Sequence, residues 1–83
     1  MKLTQYVKFR EEKFGGVLFE TRSEKVYTLN PTATAVVREI QAGRSEKDIP
    51  GLLKARFRDQ GGAIEREAIA FIADLRQKGL VED

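Results

Sequence analysis

Lys25-Val26-Tyr27-Thr28-Leu29-Asn30-Pro31-Thr32-Ala33 is the stretch at which the chain changes its period. Up to Leu29 the residues are rich in β-branched and aromatic types, the composition of a strand. Asn30 is a good helix N-cap, and Pro31 suits the first helical position, where its missing N–H costs nothing. Ala33, Val36, Val37 and Ile40 then fall on one helical face, and Gly43 marks a stop. A strand ends and a helix begins within two residues.

Working back from this junction, the signals are those of strands. Leu3, Val7 and Phe9 share one parity, with Tyr6, Lys8 and Arg10 on the other, which predicts a half-buried strand over Leu3–Arg10. Gly15-Gly16 reads as a turn before the apolar run Val17-Leu18-Phe19, and Thr21 to Glu24 as a hairpin loop. Working forward, the signals are helical. Ser45 with Asp48 resembles a capping box, and Ile49, Leu52, Leu53 and Phe57 continue a second helix that starts late or bends at Pro50. After Gly61-Gly62, a third helix carries Ile64, Ala68, Phe71, Ile72 and Leu75, closes at Gly79, and returns Leu80-Val81 to the core. The expected fold is α+β and winged-helix-like: a three-stranded antiparallel sheet followed by three helices, in one domain over residues 1–83.

Composition narrows the function. The 83 residues include no cysteine, histidine or tryptophan. The chain therefore has no thiol nucleophile, imidazole base, zinc finger or disulfide framework, and neither an enzyme on its own nor a cofactor or metal site is expected. A domain this short has little interior for a deep substrate pocket. Fifteen Lys and Arg against thirteen Asp and Glu give a net charge of +2, with the signs mixed along the chain. That pattern is a solvated surface rather than a phosphate-binding stripe. No apolar run approaches the roughly 20 residues of a membrane span and the N-terminal residues lack the apolar stretch of a signal peptide, so the cytosol is the expected location.

The carboxylates Glu11-Glu12 and Glu65/Glu67 lie in charge-rich segments and read as solvated rather than catalytic. The third helix says more. Beyond its core stripe, Ile69 and Ala73 extend the apolar surface to one side, bordered by Arg66 and Arg76. One reading is a broad core face; the other is a shallow groove for an extended peptide. The strand Lys25–Leu29 contains no proline and only Lys25 as a charge, so little blocks a peptide from adding to its edge as a further strand. A second copy of the chain can use the same edge, which leaves a homodimer open. Winged helices also bind DNA through the last helix, but here that helix begins Ile64-Glu65-Arg66-Glu67, with acids where base contacts are made. Nucleic acid ranks well behind peptide, and no membrane partner is indicated.

These residues also resemble a known family. Arg10 to Phe19, Val26 to Asn30 with Thr32-Ala33, Gly43-Arg44-Ser45, and Phe71-Ile72-Ala73-Asp74-Leu75 ending in Lys78-Gly79-Leu80-Val81 are similar to PqqD-like proteins over nearly the whole chain. The Glu12-Lys13-Phe14-Gly15-Gly16 opening looks more like members associated with radical S-adenosylmethionine (radical SAM) peptide-modifying enzymes. The resemblance implies a non-catalytic peptide chaperone, or RiPP recognition element. Such a domain binds the leader of a ribosomally made precursor peptide and presents it to a modifying enzyme. Carried over by position, Lys25, Val26, Tyr27, Thr28 and Leu29 would supply the backbone ladder, and Arg66, Ile69, Ala73 and Arg76 the helix side. The double Glu near the helix start departs from the family's pattern and leaves the leader's charge open.

Overall fold

At the Asn30–Pro31 junction the sheet hands over to the helices. The computed structural model describes residues 1–58 and 61–83. In chain order the elements are β1 (Lys2–Leu3), β2 (Val7–Glu12), β3 (Gly15–Glu20), β4 (Lys25–Leu29), α1 (Pro31–Gln41), α2 (Ile49–Arg56), α3 (Ala63–Gln77) and β5 (Val81–Glu82). β2, β3 and β4 form an antiparallel sheet in that spatial order, and β1 pairs with β5 in a separate two-stranded ladder. The α+β arrangement of three strands followed by three helices is as expected.

α1 is the centre of the molecule. Asn30 Oδ1 accepts the Ala33 N–H at 2.8 Å, and Pro31 opens the helix. Thr32 through Val37 are all buried, as are Glu39 and Ile40, because this helix is covered by the sheet on one side and by α2 and α3 on the other. Leu18 in the central strand, Val36, Val37, Ile49, Leu53 and Leu75 complete the core. Glu39 is buried yet paired. Arg56 Nη2 donates to it at 2.8 Å and Arg44 Nε at 3.4 Å, tying the ends of α1 and α2 together.

Several local expectations need correction. The strand foreseen over Leu3–Arg10 is two strands. The Val7 N–H donates to the Thr4 carbonyl, turning the chain, so that Leu3 pairs with Val81 while Val7 pairs with Glu20. Gly15-Gly16 is not a turn but the start of β3. A Cβ on Gly15 would lie 2.1 Å from the Leu29 carbonyl oxygen, and one on Gly16 2.9 Å from Thr34 Oγ1, so glycine is needed where β3 passes beneath the β4–α1 junction. The capping box does not form: the Asp48 side chain caps nothing, and backbone bonds from Asp48 and Ile49 to the Ser45 carbonyl make a turn instead. α2 then starts at Ile49, with Pro50 in its first turn where no backbone donor is lost. Leu52 and Phe57 are each 40% exposed, because only one side of this short helix meets α1 and α3. The return of the C-terminus is as foreseen, with Leu80 and Val81 buried.

Candidate functional site

β4 has a partner on one side only. The phase of the ladder shows which of its backbone groups are free. The Thr21 N–H donates to the Tyr6 carbonyl at 2.8 Å, which continues the β2–β3 register as a hydrogen-bonded pair. Backbone groups alternate sides along a strand. Val17 and Phe19 therefore bond toward β2, and Gly16, Leu18 and Glu20 toward β4, opposite Leu29, Tyr27 and Lys25. The N–H and C=O groups of Val26 and Thr28 point outward from the sheet. They form a short row of donors and acceptors at an edge that no described residue covers.

Beside this edge runs α3, and the two enclose an open groove of about 430 Å³. Its β4 wall is Thr28 and Leu29, its end is Asn30 and Ala33, and its α3 wall is Glu67, Ala70, Phe71 and Asp74. The helix runs antiparallel to the strand, as two cross-links show. Asn30 Nδ2 donates to Glu67 Oε1 at 2.9 Å at one end, and Lys78 Nζ lies 6.0 Å from the Tyr27 ring centroid at the other. Asn30 thus caps α1 with its oxygen and orients Glu67 with its nitrogen. Lys78 also pairs with Asp74 one turn before it.

The structure separates the residues that the sequence had grouped. Lys25 to Leu29 form β4, as expected. Arg66, Ile69, Ala73 and Arg76 do not line the groove beside it. Ile69 is 55% exposed and faces α2, where it borders a smaller hollow of about 260 Å³ with Glu46, Lys47, Pro50 and Ile72. Arg76 hydrogen-bonds Glu46 and reaches Asp83 at 2.9 Å, and both carboxylates push its guanidinium pKa further up. Arg66 donates to the Gly61 carbonyl at the start of α3, and Ala73 is exposed outside the groove. The two flanks of α3 are interleaved in sequence, so Ala70 and Phe71 carried the missing signal: a small residue beside a large one, between two acids.

The far face of the sheet was also missed. Val17, Phe19 and Val26 form an apolar depression flanked by Lys8 and Arg10, and Val26 is 60% exposed. The alternation of β3 and β4 turns these three side chains away from the helices. At the β3–β4 turn, the buried Glu20 carboxylate accepts the backbone N–H of Arg22 at 2.9 Å and of Ser23 at 3.1 Å, plus the Ser23 hydroxyl at 2.7 Å. These bonds, led by the Arg22 N–H, hold its pKa down to about 2. This carboxylate fixes the turn that starts β4.

Comparison with known proteins adds a family and a fold. The family described as coenzyme PQQ synthesis protein D (PqqD) matches residues 15–81. Among solved structures, TbiB1 in complex with the TbiA(beta) leader peptide is 20% identical with a TM-score of 0.83, and the match covers 99% of this chain and 95% of that one. Lasso peptide synthetase B1 complexed with the leader peptide is 24% identical with a TM-score of 0.80, covering 99% and 96%. No curated protein matches the chain.

Proposed function

This chain belongs to the PqqD family, and from that premise we propose that it is a RiPP recognition element that captures the leader of a precursor peptide by strand addition to β4. The observation that carries the reading is the outward row of Val26 and Thr28 backbone groups alongside an open helix groove. Main-chain pairing supplies affinity for any extended peptide, and the groove selects among side chains. Two proteins of the same fold are seen with leader peptides bound, which supports carrying that ligand class to this chain. On this reading the ladder residues are Val26 and Thr28, with Lys25, Tyr27 and Leu29 setting the face, and Ala70 and Phe71 form the floor. The described residues hold no Cys or His for chemistry, so the peptide is altered by a separate modifying enzyme to which this domain presents it.

The partner is proposed to be a radical SAM enzyme, on the strength of the Glu12-Lys13-Phe14-Gly15-Gly16 opening. Lasso peptide synthesis is the setting of a structural neighbour and makes the rival partner class. DNA binding is less well supported. Glu65 and Glu67 stand at the start of α3, and the Arg66 guanidinium is turned back to Gly61.

The test is amide exchange with a leader peptide from a precursor encoded beside this chain's gene. Binding should slow exchange at the Val26 and Thr28 amides, which face solvent in the free protein. A peptide that binds while leaving both amides unprotected would refute strand addition. Duplex DNA titrated at two salt concentrations should show no steep salt-dependent binding.

A further inference from the structure

We propose that the groove selects its peptide by charge register: a cation beside Glu67 and an anion beside Lys25, on one face of the added strand and four residues apart. The proposal rests on the strand-addition reading and adds to it the chemistry of the peptide.

Four charged side chains stand along this side of the molecule, and they are not equivalent. Asp74 and Lys78 pair with each other across one helical turn, so the middle of the groove is close to neutral. Glu67 is held by Asn30 Nδ2, a neutral donor, which aims the carboxylate without cancelling its charge. Lys25, at the opposite end of β4, makes no ion pair among the described residues. Among the described residues, a carboxylate without an ion-pair partner at one end of the groove and an ammonium without one farther along β4, whose cross-strand neighbour Glu20 is engaged by Arg22, give the peptide's track a polarity.

Strand geometry converts that polarity into a spacing. Residues paired across a ladder share a face. Peptide residues opposite Lys25, Tyr27 and Leu29 therefore face α3, and in the peptide these are positions i, i+2 and i+4. They span about 13 Å at roughly 3.3 Å per residue. The residue opposite Leu29 lies next to the Asn30–Glu67 pair and takes the cation. The one opposite Tyr27 lies near the Asp74–Lys78 pair, whose charges cancel, and takes an uncharged, apolar side chain. The one opposite Lys25 takes the anion. Wrong peptides are rejected by the same charges, since a carboxylate beside Glu67 or an amine beside Lys25 meets like charge. The order of the charges reports direction: cation first for a strand antiparallel to β4, cation last for a parallel one.

A displayed library of random dodecapeptides, panned against the wild-type protein, tests this. The expected consensus is a Lys or Arg and an Asp or Glu separated by three residues, with an apolar residue midway. A synthetic peptide of that consensus should lose roughly fivefold to tenfold in affinity on Glu67→Gln and on Lys25→Gln, as expected for one charge-assisted contact each. Glu67→Arg should select an anion in place of the cation. Both sites are exposed, and unchanged circular dichroism confirms that each variant is folded. Enriched peptides with no charge spacing, or an unchanged consensus with Glu67→Arg, would overturn the charge register while leaving strand addition standing. If the wild type enriches no peptide, strand addition fails and the register fails with it.

Discussion

The two flanks of α3 each offer an apolar surface and differ in what stands opposite. On the α2 side, Ile69 and Ile72 face Pro50, and the nearby charges satisfy one another: Arg76 is held by Glu46 and Asp83. On the β4 side, Ala70 and Phe71 face a strand whose Val26 and Thr28 backbone groups have no partner among the described residues. Ile69 is the more conspicuous side chain, at 55% exposure. Apolar exposure is non-directional and common on protein surfaces, whereas a row of unpaired N–H and C=O groups demands a partner of one geometry. On the proposed reading, backbone more than hydrophobicity marks the binding flank.

The sharpest way to break this contrast is to place the same charge on each flank. Ala70→Glu sets a carboxylate on the floor of the β4 groove, where a bound peptide would strip it of water beside a second carboxylate, Glu67. Leader affinity should fall about a hundredfold, read by fluorescence anisotropy, with the fold kept because Ala70 is exposed. Ile69→Glu, one residue away, should leave affinity within about twofold. The opposite ranking would return the site to the Ile69 flank that the sequence had suggested.

That earlier suggestion shows where the sequence was readable. The Asn30–Pro31 cap, the Gly79 stop and the core stripe of Ala68, Ile72 and Leu75 are local or periodic features, and all stand in the structure as read. Which flank of α3 faces the sheet is neither local nor periodic. It follows from how α1 seats against the sheet and how α2 holds α3, contacts between residues far apart in sequence. The β1–β5 ladder failed for the same reason: two-residue strands leave no pattern, and Leu3 meets Val81 only once the chain has closed. Gly15 needed long-range information too, because the obstacle to a side chain there is the carbonyl of Leu29. The edge strand itself was legible, since its composition and lack of proline are properties of five adjacent residues.

Acid sharpens the contrast in a second way, with a smaller effect. The β4 flank depends on the turn held by Glu20, whose pKa is lowered from 4.5 to about 2 by the Arg22 and Ser23 donors. A carboxyl with a lower pKa in the folded state contributes stability that is fully present above the unfolded pKa and lost as pH falls toward the folded one. Thermal unfolding midpoints should therefore drop between about pH 4.5 and pH 2, and Glu20→Gln should flatten part of that drop while lowering the midpoint at neutral pH. If the variant keeps the wild-type profile, the carboxylate is not what secures the turn.

The smallest effect is expected on the α2 flank, and it is the control for the rest. Arg76 hydrogen-bonds two carboxylates, those of Glu46 and Asp83. It also holds the Asp83 carboxyl below the usual range. Its side chain is nevertheless 38% exposed and its partners 43% and 82% exposed, so solvent screens most of what these pairs provide. Arg76→Ala should shift the midpoint of chemical denaturation only slightly. Leader affinity should be unchanged, because the peptide on β4 does not reach this side of the helix. A loss of affinity approaching that of Ala70→Glu would mean that the peptide wraps around α3, and the division between the two flanks would no longer hold.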